Sequence, residues 1–205
     1  MHGLQYELFA KDGAVPQVVA GVDEAGRGPL SGSVFAAAVI LNPNKHIDGL
    51  RDSKKLTEKQ RQYLASQIRR KALAWSVASS SVAEIEQLNI LQATMLAMKR
   101  ACESLEIIPD IFLIDGNKAP SQLPRPALTV IKGDLKFSTI SAASILAKTA
   151  RDQESMHMHN LYPEYGFNKH KGYATAEHLE MLNKYGPCPE HRKNFSPVKK
   201  LVKQD

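Results

Sequence analysis

The order of apolar runs and amphipathic stretches predicts an α/β fold, a mixed five-stranded sheet flanked by helices with a helical C-terminal extension. Three observations carry that prediction. Short runs rich in Val, Ala and Ile recur between turn residues, as strands do. Two longer stretches repeat apolar residues every three or four positions, as helices do. A short Gly/Pro-rich link joins the first two strands, which favours an antiparallel pair. Along the chain, residues 1–17 read as a lead-in segment, 18–160 as the sheet-bearing core, and 161–205 as the helical extension.

Val18 to Asp23 is the first strand, closed by the turn Ala25-Gly-Arg-Gly-Pro29, and Val34 to Leu41 is the second. Thr57 is expected to cap a helix, with Gln60 completing a capping box and Leu64, Ile68 and Ala72 on the buried face. Trp75 to Val82 is the third strand. Leu91, Met95, Met98, Cys102 and Leu105 step by three and four, the stripe of a helix that Pro109 stops. Ile111 to Ile114 and Ala127 to Lys132 supply the last two strands. A helix rich in small residues begins at Ser141, and another runs from Thr175 to Lys184 before Gly186-Pro-Cys-Pro189.

Composition narrows the function classes. The longest apolar run, Val34 to Leu41, has eight residues, against the ~20 needed to span a bilayer, so no membrane segment is expected. No signal-peptide pattern is visible, and two cysteines cannot build a disulfide framework; a cytoplasmic protein is expected. Lys and Arg number 27 against 21 Asp and Glu, a net charge of +6. From Lys169 onward there are eight Lys/Arg and four Asp/Glu, so the basic excess gathers near the C-terminus. A basic surface beside acidic chemistry suits an enzyme acting on a polyanion.

The acidic chemistry follows the strands. Asp23-Glu24, Asp115 and Asp134 each stand just after an apolar strand. An ionised carboxylate beside a buried strand is costly unless a cation offsets it. Any one of these acids alone could cap a loop or pair with a nearby Lys or Arg. Three repeats of one pattern instead point to oxygen ligands for a hard divalent cation such as Mg²⁺ or Mn²⁺. Neighbours in a strand face opposite sides, so Asp23 and Glu24 are expected to share a metal through a bulge or turn. Gly26-Arg27-Gly28 is a place where backbone can approach a ligand closely. Asp52-Ser-Lys-Lys-Leu56 brings Lys54 and Lys55 to a helix start, where a phosphate could be held. Neither His157 with His159 nor Cys188 with His191 has partners at zinc spacing. No G-x-S-x-G, P-loop or G-x-G-x-x-G sequence occurs.

Taken together, Gly21-Val-Asp-Glu-Ala-Gly-Arg-Gly-Pro-Leu30, Asp52-Ser-Lys-Lys-Leu56, Ile114-Asp-Gly116, Lys132-Gly-Asp134, Ile140-Ser-Ala-Ala-Ser-Ile-Leu-Ala-Lys148 with Arg151-Asp152, and Tyr165-Gly-Phe-Asn-Lys-His-Lys-Gly-Tyr173 resemble the successive motifs of type 2 ribonucleases H, specifically the bacterial ribonuclease HII family. The resemblance runs from about Val18 to Lys200. It implies the ribonuclease-H-like sheet, with a C-terminal region that helps to clasp a duplex. The activity it implies is cleavage of the RNA strand of RNA–DNA hybrids and nicking on the 5′ side of single ribonucleotides in duplex DNA, leaving 3′-hydroxyl and 5′-phosphate ends. By the same resemblance Asp23, Glu24, Asp115 and Asp134 hold two divalent ions during catalysis. Gly26, Arg27 and Gly28 would meet the ribonucleotide's 2′-OH and adjoining phosphate, Tyr173 the neighbouring sugar, and Lys54 and Lys55 the backbone. A monomer is expected. Two other readings use the same shape: a DNA nuclease or recombinase with these carboxylates, and a non-catalytic nucleic-acid-binding module.

Overall fold

The first strand sits in the middle of the sheet and everything else is arranged about it. In the computed structural model, which describes residues 17–50 and 56–202, the strand order is β3-β2-β1-β4-β5. The strands are β1 (Val19–Ala25), β2 (Val34–Ile40), β3 (Ala74–Ser80), β4 (Ile111–Asp115) and β5 (Ala127–Val130). β1 pairs antiparallel with β2, as its short link requires, and parallel with β4. β2 and β3 are antiparallel and β4 and β5 parallel, which makes the sheet mixed. Lys54, Lys55 and nearly all of the 1–17 segment lie outside the described residues.

Strand alternation sends the two sets of side chains into two layers. Ala20, Val22, Ala36, Ala38, Phe112 and Ile114 meet one layer of helices. That layer holds α2 (Val82–Leu88) and α3 (Ile90–Glu103). Ala37 and Val39 meet the other layer, formed by α1 (Glu58–Lys71) and the long α4 (Ser138–Leu161). Leu113 faces Phe137 and Ile140 at the start of α4. Thr57 caps α1 with the predicted capping box, and Leu64 and Ile68 are buried beneath it. The buried face of α3 is Ala93, Thr94, Ala97, Met98, Ala101 and Cys102, so the predicted stripe is rotated and Leu91 and Met95 are only half-buried. Small residues on α3 meet Ala36 and Ala38 of β2, which lets helix and sheet approach closely.

Two element boundaries differ from expectation for local reasons. β3 stops at Ser80 because the Ser81 side chain caps α2, with Glu84 completing a capping box. α4 starts at Ser138, before Ser141, because a 3₁₀ turn (Gly133–Leu135) leads almost directly into it. Gly21 is where α4 crosses β1. A Cβ there would overlap the backbone of Thr139 and Ile140.

Past α4 the chain forms a 3₁₀ turn at Pro163–Tyr165, α5 (Phe167–His170), α6 (Ala176–Tyr185) and α7 (Val198–Leu201). This stretch folds back onto the beginning of the core. Leu30 N–H donates to the Gly172 carbonyl, Gly32 N–H to that of Glu190, and Arg192 N–H to that of Leu30, each at 2.8 Å. Among the described residues no helix is long and apolar enough to cross a membrane.

Candidate active site

The β1/β4 register decides where the carboxylates go. Gly21 pairs with Leu113 and Val22 with Ile114, so Asp23 and Asp115 come next on adjacent parallel strands and on the same face of the sheet. Asp23 is buried, and its Oδ1 accepts the Glu24 amide at 2.7 Å. Burial, and then the charges of Glu24 and Asp115, hold its carboxyl well above the usual carboxylate range; the Ser144 hydroxyl opposes them. Asp115 Oδ1 accepts the Gly133 amide at 2.6 Å, which ties the strand end to the turn carrying Asp134, itself buried.

The predicted bulge at Asp23-Glu24 is absent from β1. The pairing with β2 continues in register from Ala20 to Ala25, so the two acids leave opposite sides of a regular strand. Glu24 instead pairs with Arg27 at 3.1 Å. Among the described residues no three His, Cys, Asp or Glu side chains already enclose a point where a metal could sit. The donor set nevertheless fits a hard divalent cation: it is all oxygen, and the repulsion raising Asp23 is what such a charge would relieve.

The turn after β1 reaches the other predicted residues. Gly26 has φ +95°, open to glycine at little cost, and a Cβ there would press on Arg151 and on the Ser33 carbonyl. Gly28 lies beneath the Tyr173 ring, whose nearest carbon would stand 3.3 Å from a Cβ on that residue. Arg27 and Tyr173 are both about half exposed. Arg27, Gly28 and Tyr173 thus form one exposed surface over the buried Gly26, and Arg27 joins it to the carboxylates through its pair with Glu24.

Several residues that shape this surface had no assigned role in the sequence reading. Arg192, fully buried, donates to the carbonyls of Gly26, Arg27, Pro29, Gly32 and Ser33. Arg151, also buried, donates to the carbonyls of Ser31 and Lys171 and pairs with Glu154. The Ser33 amide donates to both Glu154 oxygens. Nothing local in the sequence separates these residues from surface charges. Asp152 pairs with Arg61 at 3.1 Å and with Lys148 at 2.6 Å.

Histidines brace the Tyr173 side. The Tyr173 carbonyl can only accept, so His178 Nδ1 carries the proton of their 2.9 Å bond. Neutral His178 then accepts at Nε2 from His191 Nε2–H at 3.0 Å, and His191 Nδ1 accepts the Cys188 amide at 3.0 Å. A further proton on either ring would face a donor. Burial pushes both histidines down to about 4, and burial raises the Cys188 thiol to about 11.

Comparison with known proteins identifies the family and the fold. The family model described as ribonuclease HII matches residues 20–198. A ribonuclease HII from Bordetella pertussis is 58% identical over 195 residues, 95% of this chain and 96% of that one. The crystal structure of ribonuclease H2 from Pyrococcus horikoshii OT3 aligns with a TM-score of 0.74 and 28% identity, over 90% of this chain and 97% of that one. Bst-RNase HIII in complex with Mn²⁺ shares the fold, with a TM-score of 0.73 and 20% identity, over 90% of this chain but 69% of its own. On the strength of the matched family model and of identity across nearly the whole length, the chain belongs to the ribonuclease HII family and is a type 2 ribonuclease H.

Proposed function

We propose that this chain is a divalent-metal-dependent endonuclease. It cleaves the RNA strand of RNA–DNA hybrids and nicks duplex DNA on the 5′ side of a single embedded ribonucleotide, leaving 3′-hydroxyl and 5′-phosphate ends. One observation carries the reading: Asp23 and Asp115 stand side by side on one sheet face, and the Arg27–Gly28–Tyr173 surface begins four residues beyond the first of them. Asp23, Glu24, Asp115 and Asp134 would hold Mg²⁺ or Mn²⁺. Two such ions, when bound, supply activation of the attacking water and stabilisation of the leaving 3′-oxygen.

The chain's own residues account for selectivity. The 2′-OH is both donor and acceptor and is absent from DNA, so a site built to bind it distinguishes the two sugars. Each contact left unpaired by deoxyribose costs about 1–3 kcal/mol. The exposed Tyr173 ring offers a flat face to the adjoining sugar, and Arg27 a cation to the phosphate. Lys54 and Lys55, with the exposed lysines of residues 161–205, add affinity that does not depend on sequence. The test is a nicking assay on a duplex carrying one ribonucleotide, with Mg²⁺ or Mn²⁺ and with chelator. Cleavage on the 5′ side of the ribonucleotide that chelator abolishes supports the reading. Equal cutting of an all-DNA duplex, or cutting that survives chelator, overturns it.

A further inference from the structure

The turn Gly26–Ser33 has an unusual polarity. Seven of its carbonyls, those of every residue except Gly28, accept hydrogen bonds from two arginines late in the chain. Arg192 alone uses its five guanidinium N–H groups on five of them, from 2.6 Å at Gly26 to 3.3 Å at Ser33, and its backbone amide on Leu30. Among the described residues the guanidinium has no carboxylate hydrogen-bond partner; its carbon lies over the Phe195 ring, 5.1 Å from the centroid. It is therefore a buried cation satisfied by peptide oxygens.

This direction of bonding has a consequence on the opposite side of the turn. A trans peptide points its C=O and the next residue's N–H in opposite directions. Carbonyls of Gly26 and Arg27 drawn inward onto Arg192 turn the amides of Arg27 and Gly28 outward, beside the Tyr173 ring. We infer that Arg192 is a positioning residue for ribonucleotide recognition, fixing the outward amides of the turn and placing a buried positive charge behind them. The inference rests on the proposed role of that turn in reading the ribonucleotide. A lysine could not replace this device. Its ammonium presents three donors from one point, whereas the guanidinium spreads five around a rigid plane.

The experiment compares binding of two duplexes of one sequence, with and without a single ribonucleotide, measured by fluorescence anisotropy without divalent metal. Arg192→Lys, shown to melt cooperatively and assayed well below its melting temperature, should lose about tenfold of the preference for the ribonucleotide duplex. Its affinity for the all-DNA duplex should stay close to that of the unaltered chain. A role confined to stability would lower the melting temperature and leave the preference unchanged, and that result overturns the inference. Arg27→Ala runs in parallel. Should it keep full preference, the turn is not the reader and the underlying assignment fails. Preference lost in Arg27→Ala but kept in Arg192→Lys overturns only the positioning role. Where Arg192→Lys does not fold, the unaltered chain with ¹⁵N-labelled arginine decides. The buried guanidinium resonances should shift with the ribonucleotide duplex and not with the all-DNA duplex; equal shifts, or none, overturn the inference.

Discussion

Only Ala25 separates the Asp23-Glu24 pair from the turn at Gly26, yet the two regions are held by opposite means. The carboxylates ride on a regular ladder whose register sets their positions, and the charges of Glu24 and Asp115 add to burial in raising Asp23 rather than holding it in place. In the turn the pairing shrinks to an isolated antiparallel bridge of Ser31 with His191. The turn's backbone oxygens are gathered by side chains from the far end of the chain, above all Arg192 and Arg151. Regular backbone can thus carry mutually repelling groups at little geometric risk, whereas irregular backbone needs dedicated donors to keep one shape.

The largest expected effect tests the first half of that contrast. Asp115→Asn should lower nicking by at least about 10²-fold, the scale of losing one electrostatic group from a site. It should leave urea stability unchanged or slightly higher, because a charge beside Asp23 is removed while the ladder stays. Marked unfolding would mean that the carboxylate, and not the register, holds the strand end. Gly21→Ala attacks the ladder from behind, where α4 crosses β1. The overlap with Thr139 should cost about 3 kcal/mol of stability, read from the urea midpoint.

The C-terminal side has a pH dependence of its own. His178 and His191 lie near 4 in the folded chain, below the ordinary 6.5, so the unfolded chain takes up their protons first as pH falls. Their contribution to stability is complete above about pH 6.5 and is lost between there and pH 4, by about 1.4 kcal/mol per unit of displacement. Urea midpoints measured across that range should fall, and a His178→Gln/His191→Gln double variant should flatten the slope. The smallest effect belongs to a pair distant from the site. Arg100 holds the Glu84 carboxyl down at about 2, but both side chains are substantially exposed. Arg100→Met should cost under about 1 kcal/mol, and added salt should shrink the difference.

The sequence made regular structure legible wherever one local cause was enough. Apolar runs and the Gly/Pro link revealed β1 and β2 and their antiparallel pairing, and Thr57 with Gln60 marked the start of α1. The seven-residue α2 was missed because it is too short to show a period, although Ser81 and Glu84 carried a readable capping box. Asp23, Asp115 and Asp134 stood out in the sequence by their strand-end pattern, although β1 runs on through Asp23 and Glu24 to Ala25. The expected bulge was not there, since glycines after a strand do not say where its ladder stops. Arg192 and Arg151 were beyond reach for a different reason. A buried arginine is written like an exposed one until the fold supplies its carbonyls. The basic excess near the C-terminus is correspondingly smaller as a surface: Arg192 is internal, and Lys169 and Lys171 pair with Glu177 and Glu58.

The bond between Arg192 and Gly26 spans 166 positions of sequence. A ribosome making this chain releases Asp23, Glu24, Asp115 and Asp134 well before Arg192 emerges. A nascent chain at that stage holds every acid of the proposed metal site and lacks the clamp on the surface beside it. On the proposed role of the turn, a chain cut off before Arg192 carries the acids without the residue that fixes the surface beside them.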